Sequence, residues 1–476
     1  MNESGYSSGL TKKRIYNTNV WLAYAMRCIG KGHKAAQTFC AVMDLPPPPR
    51  FDRYNKTLLE SLLEVGNKSM KNAVQESVNI NGGDCNNISV ALDASWQKRG
   101  HTSLNGVVTA TSVDTGKVID MECLSKYCPG CNLGNNTHEC MKNFNGFSGG
   151  VESEGALKIF QRSEEKYGVK YTQYLGDGDS KAYKTVCEAK PYGEIKIEKI
   201  ECVGHVQKRL GTRLRKLKKD LKGKKLPDGK FIGGRGRLTD DEIDRLQYYY
   251  GLVIRRNPGN LESMHKALWA TFLHKASTDK YPQHQFCPKE PDTWCKYNKA
   301  QSEGTEYKHQ HSLSNDILEA IKPIYRDLSD RRLLVKCLHG RTQNCNESFN
   351  HCIWERIPKT VLVGLLTLKI GVLDTVICFN EGVVSRCEVL ELLGVPCDVN
   401  MERGLVTIDR RRVSDGEKAV MDSTKEGRIR RRAQKRRRED QDLEHKMNMG
   451  QECIKCSSGQ KKSKIYLEKI TMKNEN

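Results

Sequence analysis

Two aspartates follow apolar runs that have the pattern of buried strands. Asp93 closes the run at 90–92, and Asp177 follows residues 171–176 in YLGDGDSKAY, where Asp179 is a close alternative. If these strands lie side by side and parallel, the two carboxylates meet at the same edge of the sheet. Such a pair repels until a hard dication lies between them, and Mg²⁺ prefers oxygen ligands of this kind. The alternative is that both aspartates only cap turns, as Asp often does after a strand.

A third carboxylate, Glu347, lies in NCNESFNHCIW on a predicted helix. Two-metal phosphoryl transfer uses such groups to hold two ions about 3.5 to 4 Å apart, one at the attacking oxygen and one at the leaving oxygen. The residue types therefore predict catalytic Mg²⁺ ligands at Asp93, at Asp177 or Asp179, and at Glu347.

The elements that position these acids follow from hydrophobic periodicity. Alternating residues predict three antiparallel strands at 87–92, 104–113 and 117–124, then helix 151–167, strand 171–176, helix 180–189 and strand 194–202. This order is typical of an α/β, ribonuclease-H-like mixed sheet, in which parallel strands extend a meander. After Cys202 the pattern is helical for about 150 residues and includes a capping box that begins at Thr239.

The predicted organisation has four parts. A helical N-terminal segment (1–80), a candidate for DNA binding, precedes a ribonuclease-H-like catalytic domain (81–202 and 336–402). That domain carries a candidate zinc loop at 123–140 and is interrupted by a large all-helical insertion (203–335). The chain ends in a basic tail (403–476), whose charge and few aromatic residues predict no fixed fold.

A surplus of positive charge implies a polyanionic partner. Lys and Arg total 79 against 58 Asp and Glu, a net charge of +21, so nucleic acid is the first candidate. Ten basic residues fall at 208–225 on a predicted amphipathic helix, where backbone phosphates are the favoured partners and a solvated face is the alternative. The candidate DNA contacts on this helix are Lys208, Arg209, Arg213, Arg215, Lys216, Lys218 and Lys219. A second basic run, eight of eleven residues at 428–438, is typical of a nuclear localisation signal or a non-specific DNA arm.

The cysteines are expected to be reduced thiols and metal ligands. No uncharged apolar run approaches the roughly 20 residues of a membrane span, which predicts no membrane partner, and the N-terminus lacks the apolar core of a secretory signal. Nineteen cysteines in such a chain favour metal sites over a disulfide framework. One cluster, Cys128, Cys131, His138 and Cys140, has a spacing that suits a zinc loop, with Cys123 as a spare ligand; reduced surface cysteines are the alternative.

Six segments together resemble one known family. LDASWQKRGH, YLGDGDSKAY, CVGHVQKRLGTRL, LQYYYGLVIRRN, CPKEPDTWCKY and NCNESFNHCIWERIPK look like motifs of the Mutator-like transposases, in the family's order, and most closely like the branch found in animal genomes. The resemblance spans roughly residues 20 to 410. It implies a ribonuclease-H-like core whose Asp, Asp, Glu triad cuts and joins DNA, with Asp93, Asp177 (Asp179 is possible by motif) and Glu347 at the matching positions.

The same resemblance implies cofactors and partners. The separations of 84 residues from Asp93 to Asp177 and 170 from Asp177 to Glu347 fit the family's plan, in which the second gap holds the helical insertion. Expected cofactors are Mg²⁺ or Mn²⁺ for catalysis and Zn²⁺ for structure. Expected partners are double-stranded DNA, at transposon ends and target, and a second copy of the chain in a homodimer or higher oligomer. The expected location is the nucleus.

A second zinc site is expected across the insertion. Cys202 and His205 form a C-x2-H pair, which needs two more ligands to close a tetrahedral site, and HQFCPKEPDTWC supplies His284, Cys287 and Cys295. The family has a Cys/His motif in this place that resembles the zinc site bracketing the insertion of the vertebrate antigen-receptor recombinase. Zinc on Cys202, His205, Cys287 and either His284 or Cys295 is therefore expected. The alternative is core thiols and a histidine that contacts DNA.

Three functions fit these residues. The leading hypothesis is a DDE-type transposase, which hydrolyses a phosphodiester at the element's end and then joins the freed 3′-hydroxyl to target DNA. The second is a transposase-derived nuclear DNA-binding protein without catalysis, and the third is a ribonuclease-H-like nuclease. His339 and Arg341, just upstream of Glu347, are candidates to contact the scissile phosphate, with solvation of a helix as their alternative.

Overall fold

The structure is a computed structural model that describes residues 17–83, 86–98, 102–134, 137–176, 181–289, 293–310, 312–424 and the single positions 427, 430 and 433. The strands are β1 (Asn87–Trp96), β2 (Asn105–Ser112), β3 (Val118–Ser125), β4 (Lys170–Gly176) and β5 (Glu198–Glu201). The first helices are α1 (Asn17–Cys28), α2 (His33–Val42), α3 (Asp52–Ile80), α4 (Pro129–Asn132), α5 (Val151–Tyr167) and α6 (Lys181–Ala189). Then follow α7 (Val203–Asp220), α8 (Asp240–Arg256), α9 (Leu261–Ala276), α10 (Lys296–Ser302), α11 (Asn315–Leu328) and α12 (Arg331–Val335). The last are α13 (Asn344–Arg356), α14 (Leu365–Glu381), α15 (Arg386–Leu392) and α16 (Val399–Ser423).

The five strands form one mixed sheet in the order β3-β2-β1-β4-β5. The pairs β1/β2 and β2/β3 are antiparallel, whereas β4 lies parallel to β1 and β5 lies parallel to β4. The α/β class and the antiparallel meander with parallel strands added are therefore confirmed. Ala91 pairs with Leu175, so the carboxyl ends of β1 and β4 lie at the same edge of the sheet.

Side chains alternate along β1, and each face of the sheet is covered by helices. Ile88, Val90 and Leu92 belong to a core that α5 and α6 close. On the other face, β2 and β3 pack against α13 and α14. Because both faces are buried, strand β2, which lies between β1 and β3, is buried over its whole length.

The predicted N-terminal helical segment is part of this fold. α3 packs along α14, where a Cβ at Gly66 would lie 2.9 Å from Leu373. Met70 and Ala73 of α3 lie in the two cores that flank the sheet. α3 therefore contributes to the domain that carries the sheet.

Helices α7, α8, α9, α11 and α12 share a core of their own, which runs from Val203 to Cys337 in sequence. Thr239 begins α8 as predicted, since its hydroxyl accepts a hydrogen bond from the Glu242 amide at 3.1 Å. The hydroxyl of Tyr250, at the centre of this core, donates to the Leu328 carbonyl at 2.8 Å.

Two expectations about the C-terminal part need correction. The tail was expected to lack a fixed fold from residue 403, but Val399–Ser423 form helix α16, which lies in the second of two compact units, Asp398–Asn476. Most of the basic run at 428–438 lies outside the described residues. Reduced thiols were expected, but the structure joins Cys387 and Cys397 in a disulfide, and the 5.4 Å between their Cα atoms is a usual distance for such a bridge. Within the described ranges, no helix combines the length and apolarity that crossing a membrane requires.

Candidate functional site

A polar stripe on α13 fixes this helix against β1. Gln343, which caps the helix, and Asn346, Asn350 and Trp354 recur every three or four residues and so share one face. Gln343 Nε2 donates to the Leu92 carbonyl at 2.6 Å and also lies 3.4 Å from the Leu175 carbonyl of β4. Asn346 Nδ2 donates to the Ala91 carbonyl at 3.1 Å, and Trp354 Nε1 donates to Ser95 Oγ at 2.6 Å. α13 is thereby held against the carboxyl end of β1.

Asp93 lies in the carboxyl-terminal half of β1, and its side chain faces α13. The prediction that the strand ends just before Asp93 is wrong, because β1 continues to Trp96 by pairing with β2. Its Oδ2 accepts a hydrogen bond from Asn350 Nδ2 at 2.7 Å. Burial raises the pKa of the Asp93 carboxyl to about 7, the charges of Glu152 and Glu347 add to that rise, and the hydrogen bonds from Ala94 and Asn350 oppose it. A bound cation would reverse this, because it stabilises the ionised carboxylate.

Glu347 occupies the exposed first turn of α13, and its negative charge contributes to the raised pKa of Asp93. Its Oε1 lies 3.7 Å from Lys208 Nζ and 4.0 Å from His205 Nε2, both on α7. Asp93 and Glu347, far apart in sequence, are thus brought to one edge of the sheet. We call Asp93, Glu347 and their neighbours the sheet-edge site.

The other predicted acids lie outside the described residues. β4 ends at Gly176, directly before Asp177 in sequence, and Asp177 and Asp179 both fall in the undescribed segment 177–180.

The sheet-edge site suits a hard cation. Asn350 Oδ1 is buried and accepts no hydrogen bond from the residues that the structure describes, although the other end of the same amide binds Asp93. Mg²⁺ prefers oxygen ligands, so an ion bound here could be held both by this unpaired amide oxygen and by the neighbouring Asp93 carboxylate. Glu152, in the first turn of α5, adds a further carboxylate that sequence reasoning missed.

The C-x2-H pair lies at the sheet-edge site rather than at a zinc cluster. Cys202 is buried with Ala91 and Leu175, and its sulfur accepts a hydrogen bond from the backbone N–H of Gln343 at 3.4 Å. His205 faces Glu347. The expectation of zinc on Cys202 and His205 is therefore not met, because β5 ends at Glu201 and delivers both residues to the edge where β1 ends.

The insertion has its own candidate metal cluster. His274, His284, Cys287 and Cys295 place their ligand atoms within 4.8 Å of one another, and we call them the insertion cluster. His284 Nδ1 lies 3.7 Å from Cys287 Sγ and 3.5 Å from Cys295 Sγ, and His274 Nδ1 lies 3.2 Å from His284 Nδ1. Tetrahedral zinc with N and S ligands separates its ligand atoms by roughly 3.3 to 3.8 Å. The cluster thus contains Cys287 together with both of the alternative ligands, His284 and Cys295. Its fourth member, His274 at the end of α9, was not predicted from the sequence.

Burial leaves the imidazoles of this cluster neutral. Burial, together with the charges of neighbouring Lys and His side chains, lowers the pKa of His274 and of His284 to about 4. Neutral imidazole is the form that binds a metal. His284 Nε2 lies 2.9 Å from His309 Nε2, and His309 Nδ1 lies 2.6 Å from the Asp279 carboxylate. This chain of contacts orients His284 so that Nδ1 faces the cluster, as outer groups do at zinc sites.

The predicted zinc loop is brought together in full. Cys128, Cys131, His138 and Cys140 place their ligand atoms within 4.8 Å of one another, and we call them the loop cluster. His138 Nε2 lies 3.2 Å from Cys128 Sγ and 3.3 Å from Cys131 Sγ, which matches tetrahedral zinc. A Cβ at Gly130 would lie 2.4 Å from the His138 ring, so only glycine fits there. Hydrogen bonds from the Met141, Cys131 and Gly130 amides lower the pKa of Cys128 to about 6.

The predicted DNA contacts on α7 divide into two groups. Several are held by carboxylates of the protein: Arg209 by the buried Glu201 at 2.7 Å, Lys218 by Asp240 at 2.9 Å, Arg213 by Asp327 at 3.4 Å, and Arg215 by Asp244. Lys216 and Lys219 are exposed, and Lys208 reaches Glu347. Arg209 is therefore a structural residue, and the exposed lysines are the better DNA candidates. Likewise, His339 Nε2 lies 3.0 Å from the Glu201 carbonyl, which ties this histidine to β5.

Comparison with known proteins gives one result. Residues 3–295 match the family model described as Mutator-like transposase. That match includes Asp93 and the insertion cluster, and it ends before Glu347. No curated protein and no solved structure matches the chain.

Proposed function

The chain belongs to the Mutator-like transposases, and from that premise we propose that it is a DDE-type DNA transposase with a ribonuclease-H-like catalytic domain. The reaction is hydrolysis of a phosphodiester at a transposon end, followed by attack of the freed 3′-hydroxyl on target DNA. One observation carries this proposal: the polar stripe of α13 holds the helix that carries Glu347 against the carboxyl-terminal half of β1, where Asp93 lies.

The residues of the chain have separate tasks in this proposal. Asp93, Glu347 and one of Asp177 and Asp179 would hold Mg²⁺ or Mn²⁺. The bound ions would activate the attacking oxygen and stabilise the leaving oxygen. Asn350 orients Asp93 through the 2.7 Å hydrogen bond, and Lys208 beside Glu347 supplies a positive charge to a strand phosphate.

Structural zinc and DNA complete the proposal. The insertion cluster and the loop cluster each offer four ligands of the types that zinc takes in closed sites. Double-stranded DNA is the substrate, in line with the net charge of +21. Two transposon ends must be joined, so a homodimer or higher oligomer is the expected assembly, and the nucleus is the expected location.

A nicking and strand-transfer assay tests this function. Labelled element-end DNA is incubated with Mg²⁺ or Mn²⁺ and with wild type or the variants Asp93→Ala, Asp177→Ala, Asp179→Ala and Glu347→Ala. We expect losses of at least about 100-fold for Asp93→Ala, for Glu347→Ala and for one of the two middle variants. Glu355→Ala, at the far end of α13 and paired with His351 at 3.3 Å, is the matched control. Salt-sensitive DNA binding by a wild type that does not nick would instead indicate a transposase-derived DNA-binding protein.

A further inference from the structure

A cavity of about 690 Å³ opens beside the sheet-edge site. It lies between the start of α7, helix α8, the β2–β3 turn and the loop that leads into α13. Lys208 lines it and also lies 3.7 Å from Glu347, so the cavity and the carboxylate share one side chain. Its volume falls within the roughly 300 to 1,000 Å³ of pockets for single small ligands. A DNA duplex, whose major groove alone is about 12 Å wide, does not fit inside.

The lining is rich in groups that bind an anion. Lys208, Arg255 and Arg341 contribute three cations, against the single carboxylate of Asp114. Arg341 donates to the Val113 carbonyl at 3.2 Å and its guanidinium lies 3.8 Å from the Asp114 carboxylate, and Arg255 donates to Gln207 Oε1 at 2.8 Å. A guanidinium has five donors, so each arginine is held in place with donors to spare. Burial lowers the pKa of Arg255, a cost that an arriving anion would relieve.

The lining also suits a heterocyclic base. Gln207, Gln247 and Asn344 add amide groups, which both donate and accept hydrogen bonds, whereas phosphate oxygens only accept. The first turns of α7 and α13 border the same space through Gly204 and Asn344 and add the positive ends of two helix dipoles. Gly116 and Cys345 both line the cavity. Gly116 has a φ of +73°, and a Cβ at this position would lie 2.8 Å from Cys345 Sγ, so a larger residue there would disturb the lining.

We propose that this cavity binds one nucleotide extruded from the duplex next to the scissile phosphate, with its phosphate on Lys208 and Arg341 and its base against the amide side chains. The inference rests on the proposed function, since it places the nucleotide in the strand that the sheet-edge site cuts. Extrusion breaks pairing and stacking, and it costs least for a mispaired base. The cavity therefore makes cleavage sensitive to pairing at one position beside the cut.

The test places 2-aminopurine at successive single positions on both sides of the cut in element-end DNA. Its fluorescence rises when the base leaves the stack, and it is read in metal-free buffer at saturating protein. We expect a rise at one position of at least about fivefold with wild type, and loss of that rise with Arg341→Ala and with the cavity-filling Thr342→Trp. Arg326→Ala, which removes an exposed arginine from the last turn of α11, away from the cavity, is the matched control and keeps the rise.

Nicking in Mg²⁺ is measured in parallel, so the two claims fail separately. Nicking without a fluorescence rise overturns the nucleotide pocket and leaves the transposase function standing. A rise that both cavity variants abolish, in a protein that does not nick, supports the pocket and counts against the function. A rise that persists in both cavity variants also overturns the pocket, because extrusion would then not depend on it, and the absence of both signals overturns both claims.

Discussion

The buried Asp93 carboxyl carries a desolvation cost when it is ionised in the folded protein. Burial raises its pKa from 3.8 to about 7, so between these pH values the folded chain binds more protons than the unfolded chain. The free energy of unfolding therefore falls as pH rises through this window, and the full cost is present above pH 7. Asp93→Asn removes the charge and keeps a group that can accept the Asn350 hydrogen bond.

We expect Asp93→Asn to raise the melting temperature at pH 8 by at least about 2 °C in metal-free buffer. The difference should vanish near pH 4, where the carboxyl is protonated in the folded protein. Thermal melts of both proteins at the two pH values check this. Equal melting temperatures at pH 8 would show that the Asp93 carboxyl is not strained by burial.

The spacing of histidine and cysteine residues in the sequence does not always show which of them share a metal site. The loop cluster was predictable because its four ligands lie within thirteen residues of chain. The insertion cluster was predicted only in part. His274 lies in the last turn of a predicted helix, where a histidine does not indicate a metal ligand, and the C-x2-H spacing of Cys202 and His205 is more typical of zinc sites. Which histidine joins Cys287 depends on how the insertion folds back on itself, and ligand spacing does not contain that information.

Metal content distinguishes the two ligand sets. We expect the purified wild type to hold two zinc ions per chain, one in each cluster. His274→Ala should lose one zinc ion, whereas Cys202→Ala should keep both. Elemental analysis of the dialysed proteins provides the measurement, and Cys128→Ala is the matched variant for the loop cluster. Loss of zinc from Cys202→Ala, with none from His274→Ala, would restore the original ligand set.

Helix α7 joins the sheet-edge site to the insertion, and its basic face mixes structural and exposed cations. The sequence predicted the helix and its apolar side, because Val206, Leu210 and Leu214 recur at helical spacing and are buried. It did not predict that Arg209 pairs with a buried glutamate. Partners from other elements decide that, and charge runs do not reveal them.

DNA binding should therefore depend on the exposed lysines of α7. We expect Lys216→Ala and Lys219→Ala each to reduce the slope of log K against log salt by about 0.9, the value for one phosphate contact. Affinity measured by fluorescence anisotropy across a salt series gives the slopes. Lys322→Ala, an exposed lysine on α11 of the same insertion, serves as the control and should leave the slope unchanged. Equal slopes for all variants would remove α7 from the DNA interface.

The element order of the sheet was predictable, but the docking of α13 was not. Alternation identified the strands and set their order along the chain. The stripe of Gln343, Asn346 and Asn350 would be expected to face solvent, because buried helix faces are usually apolar. These side chains are buried because they pair with carbonyl groups at the end of β1, which is a property of the assembled fold.

On the scale of the whole molecule, one buried carboxylate ties four helices together. Asp374 of α14 accepts hydrogen bonds from Tyr24 of α1 at 2.8 Å, Arg356 of α13 at 2.7 Å and Arg386 at 2.7 Å, the first residue of α15. Burial opposes ionisation of Asp374, but the two arginines outweigh it and hold its pKa to about 2. The sequence showed only a charge that interrupts an apolar helix, because its partners lie up to 350 residues away.

We expect Asp374→Ala to destabilise the protein by about 3 to 5 kcal/mol, since two buried arginines lose their partner. Glu388→Ala, which breaks the exposed ion pair with Lys68, should cost no more than about 1 kcal/mol. Urea unfolding of both variants against wild type makes the comparison. Similar losses for the two variants would show that Asp374 is not the junction of these helices.

The central claim is that Asp93 and Glu347 bind the same cation, and titration of metal-free protein with Mn²⁺ by calorimetry tests it most directly. We expect Asp93→Asn and Glu347→Gln each to weaken Mn²⁺ binding at least about tenfold, while Glu355→Gln at the other end of α13 binds as wild type does. Wild-type affinity in both Asp93→Asn and Glu347→Gln would contradict the claim that these two carboxylates form one site.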